Sequence, residues 1–159
     1  MADKLALIAL NLSSIRTELE YYGKALDLTV DEANRDYGSD FETPVVKAYT
    51  SGAIASMIII KACGFEDELR KHYLANYHHT QTDTVRKSIS DLNKLFKNPM
   101  LRKLRNYVLA HHNRENQRLL NFDEIQKMIP YQEPEQYYRL IDCCGKVANA
   151  ISAIPEASR

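Results

Sequence analysis

The sequence predicts an all-α protein, an antiparallel helical bundle with four to five main helices plus short helices. Apolar residues recur at steps of three and four along several segments, which is the period of one face of an α-helix. Five Gly and five Pro in 159 residues are too few for a β-sandwich, in which each short connection needs turn-forming residues. No segment requires a strand, so we expect antiparallel helices joined by short loops.

Composition favours a single domain over residues 1–159. Hydrophobic residues make up 45% and charged residues 26% of the chain, which is ordinary globular usage. The 21 basic residues balance 21 acidic ones, so affinity for nucleic acid or an anionic membrane has to be local. The longest uncharged apolar run, residues 53–60, is far shorter than the roughly 20 residues that span a bilayer. We expect neither membrane association nor a signal peptide.

Cysteine and histidine usage indicates a cytoplasmic protein without a metal or other cofactor. The three cysteines, Cys63, Cys143 and Cys144, form an odd set without metal-like spacing, which fits a reducing compartment. His72, His78 and His79 cross a predicted helix break and have few carboxylates nearby, whereas a metal site needs three or four converging ligands.

The first half of the chain predicts two main helices. An amphipathic pattern begins at Leu5 and is expected to end near Gly23, because glycine commonly ends helices. Thr29 has capping-box spacing to an acidic residue and indicates a short helix. Thr43-Pro44 provides a cap and a first-turn proline for a central, largely buried helix. Gly64 is expected to end it.

The second half predicts the remaining helices. Residues 65–76 carry acidic groups early and basic groups late, the order that suits a helix macrodipole. Thr82 or Asp83 can cap the next helix. Asn98-Pro99 breaks that helix and opens another. A short helix is expected over residues 121–128, and a last helix runs from Pro134 toward residue 155.

The segment of residues 94–118 departs from the neutral average of the chain. It contains seven Lys or Arg and one acidic residue, Glu115. Within it, Arg105, Asn106 and His111 are residue types that handle phosphate without a metal, since guanidinium grips phosphate oxygens, amide orients and imidazole moves protons near neutral pH. On one helix, however, Arg105 and His111 lie about 120° apart. Either the helix ends near His111 and the imidazole turns inward, or a second copy completes the site across a two-fold interface.

Arg105-Asn106 followed by four residues and His111 resembles the signature of HEPN ribonucleases. That signature is an Arg, often followed by Asn, Asp or His, and then a His after four to six residues. It lies late in an all-helical bundle and is followed by a further helix, as here. The surrounding tract looks most like HEPN proteins of abortive-infection phage defence. HEPN toxins paired with nucleotidyltransferase antitoxins often carry Tyr two residues after the His, whereas this chain has Asn113.

The resemblance implies a metal-independent endoribonuclease, a toxin or antiviral defence effector that works as a homodimer with a composite active site. The 2′-hydroxyl of RNA attacks the adjacent phosphate, giving a 2′,3′-cyclic phosphate and a 5′-hydroxyl end. The expected catalytic residues are His111 as general acid or base, Arg105 as transition-state stabiliser and Asn106 as orienting group. An antitoxin or regulatory partner is a further expectation. The residues expected to contact RNA are Arg102, Lys103, Tyr107, His112 and Arg114.

Two alternatives stay open from the sequence. Arg105 can be a surface arginine on a basic helix, and His111 can cap the last carbonyls of that helix. The domain is then a catalytically inactive helical module that binds RNA, a nucleotide or a partner protein, or a purely structural dimerisation domain. The paired Cys143-Cys144 is expected to be core or interface packing.

Overall fold

The computed structural model describes the backbone of residues 2–33, 42–112, 131 and 133–157, and the side chains of residues 4–29, 50–106, 131 and 133–157. The predicted all-α class is confirmed, because these residues contain helices and no strand. The main helices are α1 (Ala2–Ala33), α2 (Glu42–Glu68), α3 (Asp83–Leu95), α4 (Pro99–His112) and α5 (Pro134–Ser152).

Shorter helical segments follow α2 and α5. The chain continues from α2 into a π-helix (Leu69–Leu74), one α-helical turn (Ala75–Tyr77) and a 3-10 turn (His78–Thr80). A second 3-10 turn (Pro155–Ala157) follows α5. A π-helical segment inside a longer helix occurs frequently at functional sites, and this one begins directly after the acidic residues at the end of α2.

Packing between the helices forms one apolar core in the described part of the chain. Helix α1 packs on α2 and α5, α5 also packs on α3, and α4 packs on α2. Each large aliphatic side chain that is fully buried contributes about 1.5–3 kcal/mol. None of the described helices has an apolar stretch that could cross a membrane. The core includes Leu12, Leu19, Ile58, Phe65, Tyr73, Leu92, Leu101, Leu104, Leu140 and Ile151.

Three of the predicted helix starts are confirmed. Thr82 precedes α3, and its hydroxyl accepts a hydrogen bond from the Val85 backbone N–H at 3.3 Å. Asn98 precedes α4, and its side-chain oxygen accepts from the Met100 N–H at 3.0 Å. Helix α5 begins at Pro134. These starts depend on short-range hydrogen bonds and on a proline, which the sequence alone displays.

The predicted end of α1 at Gly23 and the short helix at Thr29 are wrong. Helix α1 continues to Ala33, and the Thr29 hydroxyl donates to the Leu26 carbonyl at 2.7 Å from inside it. A Cβ atom at Gly23 would lie 3.0 Å from Cδ1 of Ile141 on α5. Glycine at this position therefore permits close packing of α5 on α1 and does not end the helix.

The predicted end of α2 at Gly64 is also wrong. Helix α2 starts at Glu42, so Thr43 and Pro44 both lie in its first turn, and it runs through Gly64 without a break. Phe65 and Leu69 are 0% and 1% exposed, and their burial outweighs the roughly 1 kcal/mol that an interior glycine costs. The segment 65–76 is therefore a continuation of α2. The short helix predicted over 121–128 lies outside the described residues.

Candidate functional site

Helix α4 carries the candidate residues and is held against α2 by its apolar face. Leu101 and Leu104 are 0% and 1% exposed. The Cys63 thiol on α2 donates a hydrogen bond to the Leu101 carbonyl, with sulfur and oxygen 3.7 Å apart. This packing places the arginines on the neighbouring face of α4 beside the acidic residues at the end of α2.

Arg105 is held by groups on both helices. Its Nη1 donates to Oδ2 of Asp67 at 2.6 Å, and its Nε and Nη2 each donate to Oδ1 of Asn106 at 3.2 Å. A guanidinium has five N–H groups, so two remain without a partner among the described residues. The side chain is 23% exposed. The guanidinium is therefore fixed in orientation and still has donors for an anion.

Asn106 contacts Arg105 through its amide oxygen, which accepts two hydrogen bonds from the guanidinium. The amide oxygen thereby helps to set the plane of the guanidinium. Asn106 is exposed, and no described side chain accepts a hydrogen bond from its NH₂ group. The expectation that its amide orients His111 or a phosphate stays a prediction, because the His111 side chain lies outside the described residues.

Arg102 is engaged by a buried carboxylate. Its Nη2 lies 2.7 Å from Oε1 of Glu66, which is 3% exposed, and Arg70 lies 3.7 Å from the same oxygen. A carboxylate in such a place needs a paired cation, because an unpaired buried charge is strongly destabilising. Arg102 therefore has a clear structural task, and its contact with RNA stays a prediction.

The remaining predicted site residues lie partly or wholly outside the described side chains. Lys103 is exposed on α4. His111 and His112 form the last two residues of α4 in the described backbone, but the side chains of Tyr107, His111 and His112, and the whole of Arg114, are outside the description. The structure thus brings Arg105 and Asn106 together with Asp67. Convergence of His111 with Arg105 stays a prediction.

Sequence reasoning missed the acidic partners. Glu66 and Asp67 were interpreted only as early acidic residues of a separate helix, although each pairs with an arginine on α4. The pairs span 36 and 38 residues, so they follow from the packing of α2 on α4. The one local signal is the run of three acidic residues, Glu66 to Glu68, directly after the apolar part of a buried helix.

The cysteines are poor nucleophiles at neutral pH. All three are buried and free. Burial raises the pKa of the Cys63 thiol to about 11, although the Arg105 guanidinium acts in the opposite direction. Burial likewise raises the pKa of Cys143 and of Cys144. Because the thiolate is the reactive form, these side chains belong to the packing of the core.

No metal centre is formed by the described part of the chain, where no three His, Cys, Asp or Glu side chains come together. The chain matches no protein-family model, no curated protein and no solved structure. The interpretation of the site therefore depends on the contacts of Arg105 and on its position along α4.

Proposed function

We propose that this protein is a metal-independent endoribonuclease that leaves 2′,3′-cyclic phosphate and 5′-hydroxyl ends. The observation that carries the proposal is the state of Arg105. Its guanidinium is bonded to Asp67 and Asn106, is partly exposed, and has two N–H groups that no described residue engages. Guanidinium N–H donors suit the oxygens of a phosphate.

The chemistry follows from the charge that develops during cleavage. The RNA 2′-oxygen bonds to phosphorus, its proton passes to a base, and the bond to the 5′-oxygen breaks as that oxygen takes a proton from an acid. Arg105 stabilises the negative charge on the phosphate oxygens. His111 is the proposed proton carrier, and such proton transfer typically contributes about 10²- to 10⁴-fold in rate.

A second copy of the chain is part of the proposal. The backbone of α4 is helical through His112, and along a continuous helix Arg105 and His111 project about 120° apart. A two-fold pair of α4 helices would let Arg105 of one copy and His111 of the other approach one phosphodiester. By the HEPN resemblance, such a nuclease would act as a cytoplasmic toxin or phage-defence effector, restrained by an antitoxin or regulatory partner.

The proposal is tested with purified protein and RNA in the presence of EDTA. We expect cleavage that persists with the chelator, cyclic-phosphate ends on the products, and no cleavage where the attacking ribose is replaced by 2′-deoxyribose. His111→Ala and Arg105→Ala should each lower the rate at least about 100-fold. His79→Ala removes an exposed imidazole elsewhere and is the matched control. Cleavage of the deoxy substrate, or full activity in His111→Ala, would refute the proposal.

A second candidate is a catalytically inactive module that binds RNA or a partner. The observation that favours it is the same ion pair in another role, because Asp67 compensates the charge of Arg105 and ties α4 to α2. In that case the wild-type protein yields no cyclic-phosphate ends, and Arg105→Ala lowers the free energy of unfolding without changing any RNA reaction.

A further inference from the structure

A cleft runs along one side of α3 and has a volume of about 330 Å³. Among the described residues, its lining contains three cations, three neutral polar groups and one apolar side chain, and no carboxylate. The carboxylates that pair with two of these cations are exposed to solvent, whereas Glu66, which holds Arg102 on α4, is buried. The lining residues are Gln81, Arg86, Ile89, Ser90, Asn93, Lys94 and Lys97.

The cations of this cleft can exchange their carboxylate partners for a phosphate. Arg86 lies 3.3 Å from Asp83, and Lys94 lies 2.7 Å from Asp91, in ion pairs whose side chains are 46–98% exposed. Lys97 is exposed and has no ion-pair partner in the described part of the chain. Exposed pairs contribute only about 0–1 kcal/mol, so an incoming phosphate can replace these carboxylates at little cost.

The structure distributes the cations of the predicted basic segment over two surfaces, one on α4 and one at the α3 cleft. The sequence predicts a basic segment over residues 94–118, centred on α4. Two of its cations, Arg102 and Arg105, are paired with Glu66 and Asp67. Lys94 and Lys97, at the start of the segment, belong instead to the α3 cleft together with Arg86, which lies before it. Helix α3 together with Lys97 carries four cations and two carboxylates, and its ion pairs are more exposed than those that hold Arg102 and Arg105.

The spacing along α3 suits an extended strand. Arg86, Ser90 and Asn93 recur at steps of four and three, so they share one face of α3. Helix α3 rises by roughly 14 Å from Arg86 to its last residue, Leu95, and Lys97 lines the same cleft two residues beyond that end. Lys97 precedes Pro99, the first residue of α4, and six residues of α4, roughly 9 Å, separate Pro99 from Arg105.

We infer that the α3 cleft binds the phosphate backbone of single-stranded RNA and guides the strand toward Arg105, an inference that rests on the proposed function. Arg86, Lys94 and Lys97 contact phosphates, and Ser90 and Asn93 offer hydrogen bonds to ribose. Sequence-independent contacts of this kind supply affinity and a strong dependence on salt.

The test measures binding and cleavage separately. The binding probe is a fluorescent single-stranded RNA whose 2′-hydroxyl groups are all methylated, so that it cannot be cleaved and keeps the 2′-oxygen of ribose. We expect Arg86→Gln/Lys97→Gln to bind it about tenfold more weakly, with the slope of log K against log salt reduced by about 1.4. Lys24→Gln/Lys87→Gln removes the same charge from exposed positions outside the cleft and should bind as the wild type does. With cleavable RNA, the cleft variant should raise KM and leave kcat unchanged.

The two proposals fail in different ways. If both double variants bind the probe equally, or if the wild type binds only an acidic peptide such as polyglutamate, the cleft assignment is overturned. An unchanged KM in the cleft variant of an active enzyme also overturns it and leaves the nuclease intact. Cleft-dependent binding without cyclic-phosphate products supports the cleft and removes the nuclease.

Discussion

Asp67 acts on Arg105 and not on the substrate, so we assign it a positioning role. Asp67→Asn should lower kcat about fivefold to tenfold and leave KM nearly unchanged, because a partly exposed ion pair holds the guanidinium with about 1 kcal/mol. Glu68→Gln is the matched control, since Glu68 contacts Asn11 and His72 and not Arg105. Steady-state kinetics on one RNA substrate supply the comparison.

A structural role alone would give another result. In that case Asp67→Asn lowers the melting temperature and leaves kcat per folded molecule unchanged. Asp67→Glu retains the carboxylate and should recover part of the lost rate, which a general loss of stability would not explain. Equal kcat values in Asp67→Asn and Glu68→Gln would contradict the positioning role.

For individual residues, the sequence identifies the candidates on α4 but not their acidic partners on α2. Arg105 and Asn106 were singled out by type and adjacency, and their mutual hydrogen bonds are local. Asp67 and Glu66 were not found, because their contacts depend on how α2 and α4 pack across more than thirty residues. A hydrogen bond between neighbouring residues can be predicted from the sequence, whereas an ion pair between distant residues depends on how the two helices pack against each other.

The difference between local and long-range contacts also explains why helix starts are predicted correctly and two helix ends wrongly. The start of α3 is predicted at Thr82 because a capping side chain bonds to the backbone within three residues, and the start of α4 is predicted at Pro99 because proline suits the first turn of a helix. Ends were wrongly predicted at Gly23 and Gly64 because burial of the following residues continues both helices. Glycine ends a helix only where continuing the helix would bury no further side chains, because tertiary packing outweighs the low helix propensity of glycine.

Gly23 and Gly64 predict opposite responses to a methyl group. A Cβ at Gly64 meets nothing within 4 Å, so Gly64→Ala should raise the free energy of unfolding by about 0.5–1 kcal/mol through helix propensity alone. A Cβ at Gly23 meets Ile141 at 3.0 Å, and this crowding offsets the gain. Urea denaturation of both variants measures the difference.

A control separates crowding from propensity at Gly23. In a background of Ile141→Val, which lacks the Cδ1 atom, Gly23→Ala should be more favourable than in the wild type. A destabilising Gly64→Ala would contradict the gain expected from helix propensity.

The molecule as a whole should lose stability in alkali. Burial raises the pKa of Cys63 from 9.0 to about 11 and raises the pKa of Cys144 and Tyr137 as well. Above about pH 9 the unfolded chain releases thiol protons that the folded chain retains, so the free energy of unfolding falls as pH rises toward about 11. Below that range these groups make no pH-dependent difference.

Denaturation with urea between about pH 8 and about pH 10.5 measures this loss. Cys63→Ala leaves a small cavity and should be less stable at pH 8, but its stability should fall less steeply with pH because one of the titrating groups is gone. Identical slopes in the wild type and in Cys63→Ala would contradict the assignment of the effect to this thiol.

The composite site makes a prediction about pairs of molecules. If Arg105 of one copy works with His111 of another, mixing inactive Arg105→Ala and His111→Ala proteins should restore cleavage. In a mixed dimer, one of the two sites combines an intact arginine from one protomer with an intact histidine from the other. Since random exchange makes about half of the dimers mixed, about one quarter of the wild-type sites are recovered.

The mixing experiment distinguishes an active site shared between two protomers from an active site within one protomer. Activity should rise with time after mixing, at the rate of subunit exchange, and should be absent when either variant is mixed with itself. If the end of α4 turns His111 toward Arg105 within one protomer, no mixture recovers activity, because every site then lacks one of its two residues. A covalently linked dimer carrying both substitutions in one half and neither in the other separates the cases further. With sites shared between copies it has no intact site, whereas with sites inside each protomer it keeps half of the wild-type activity.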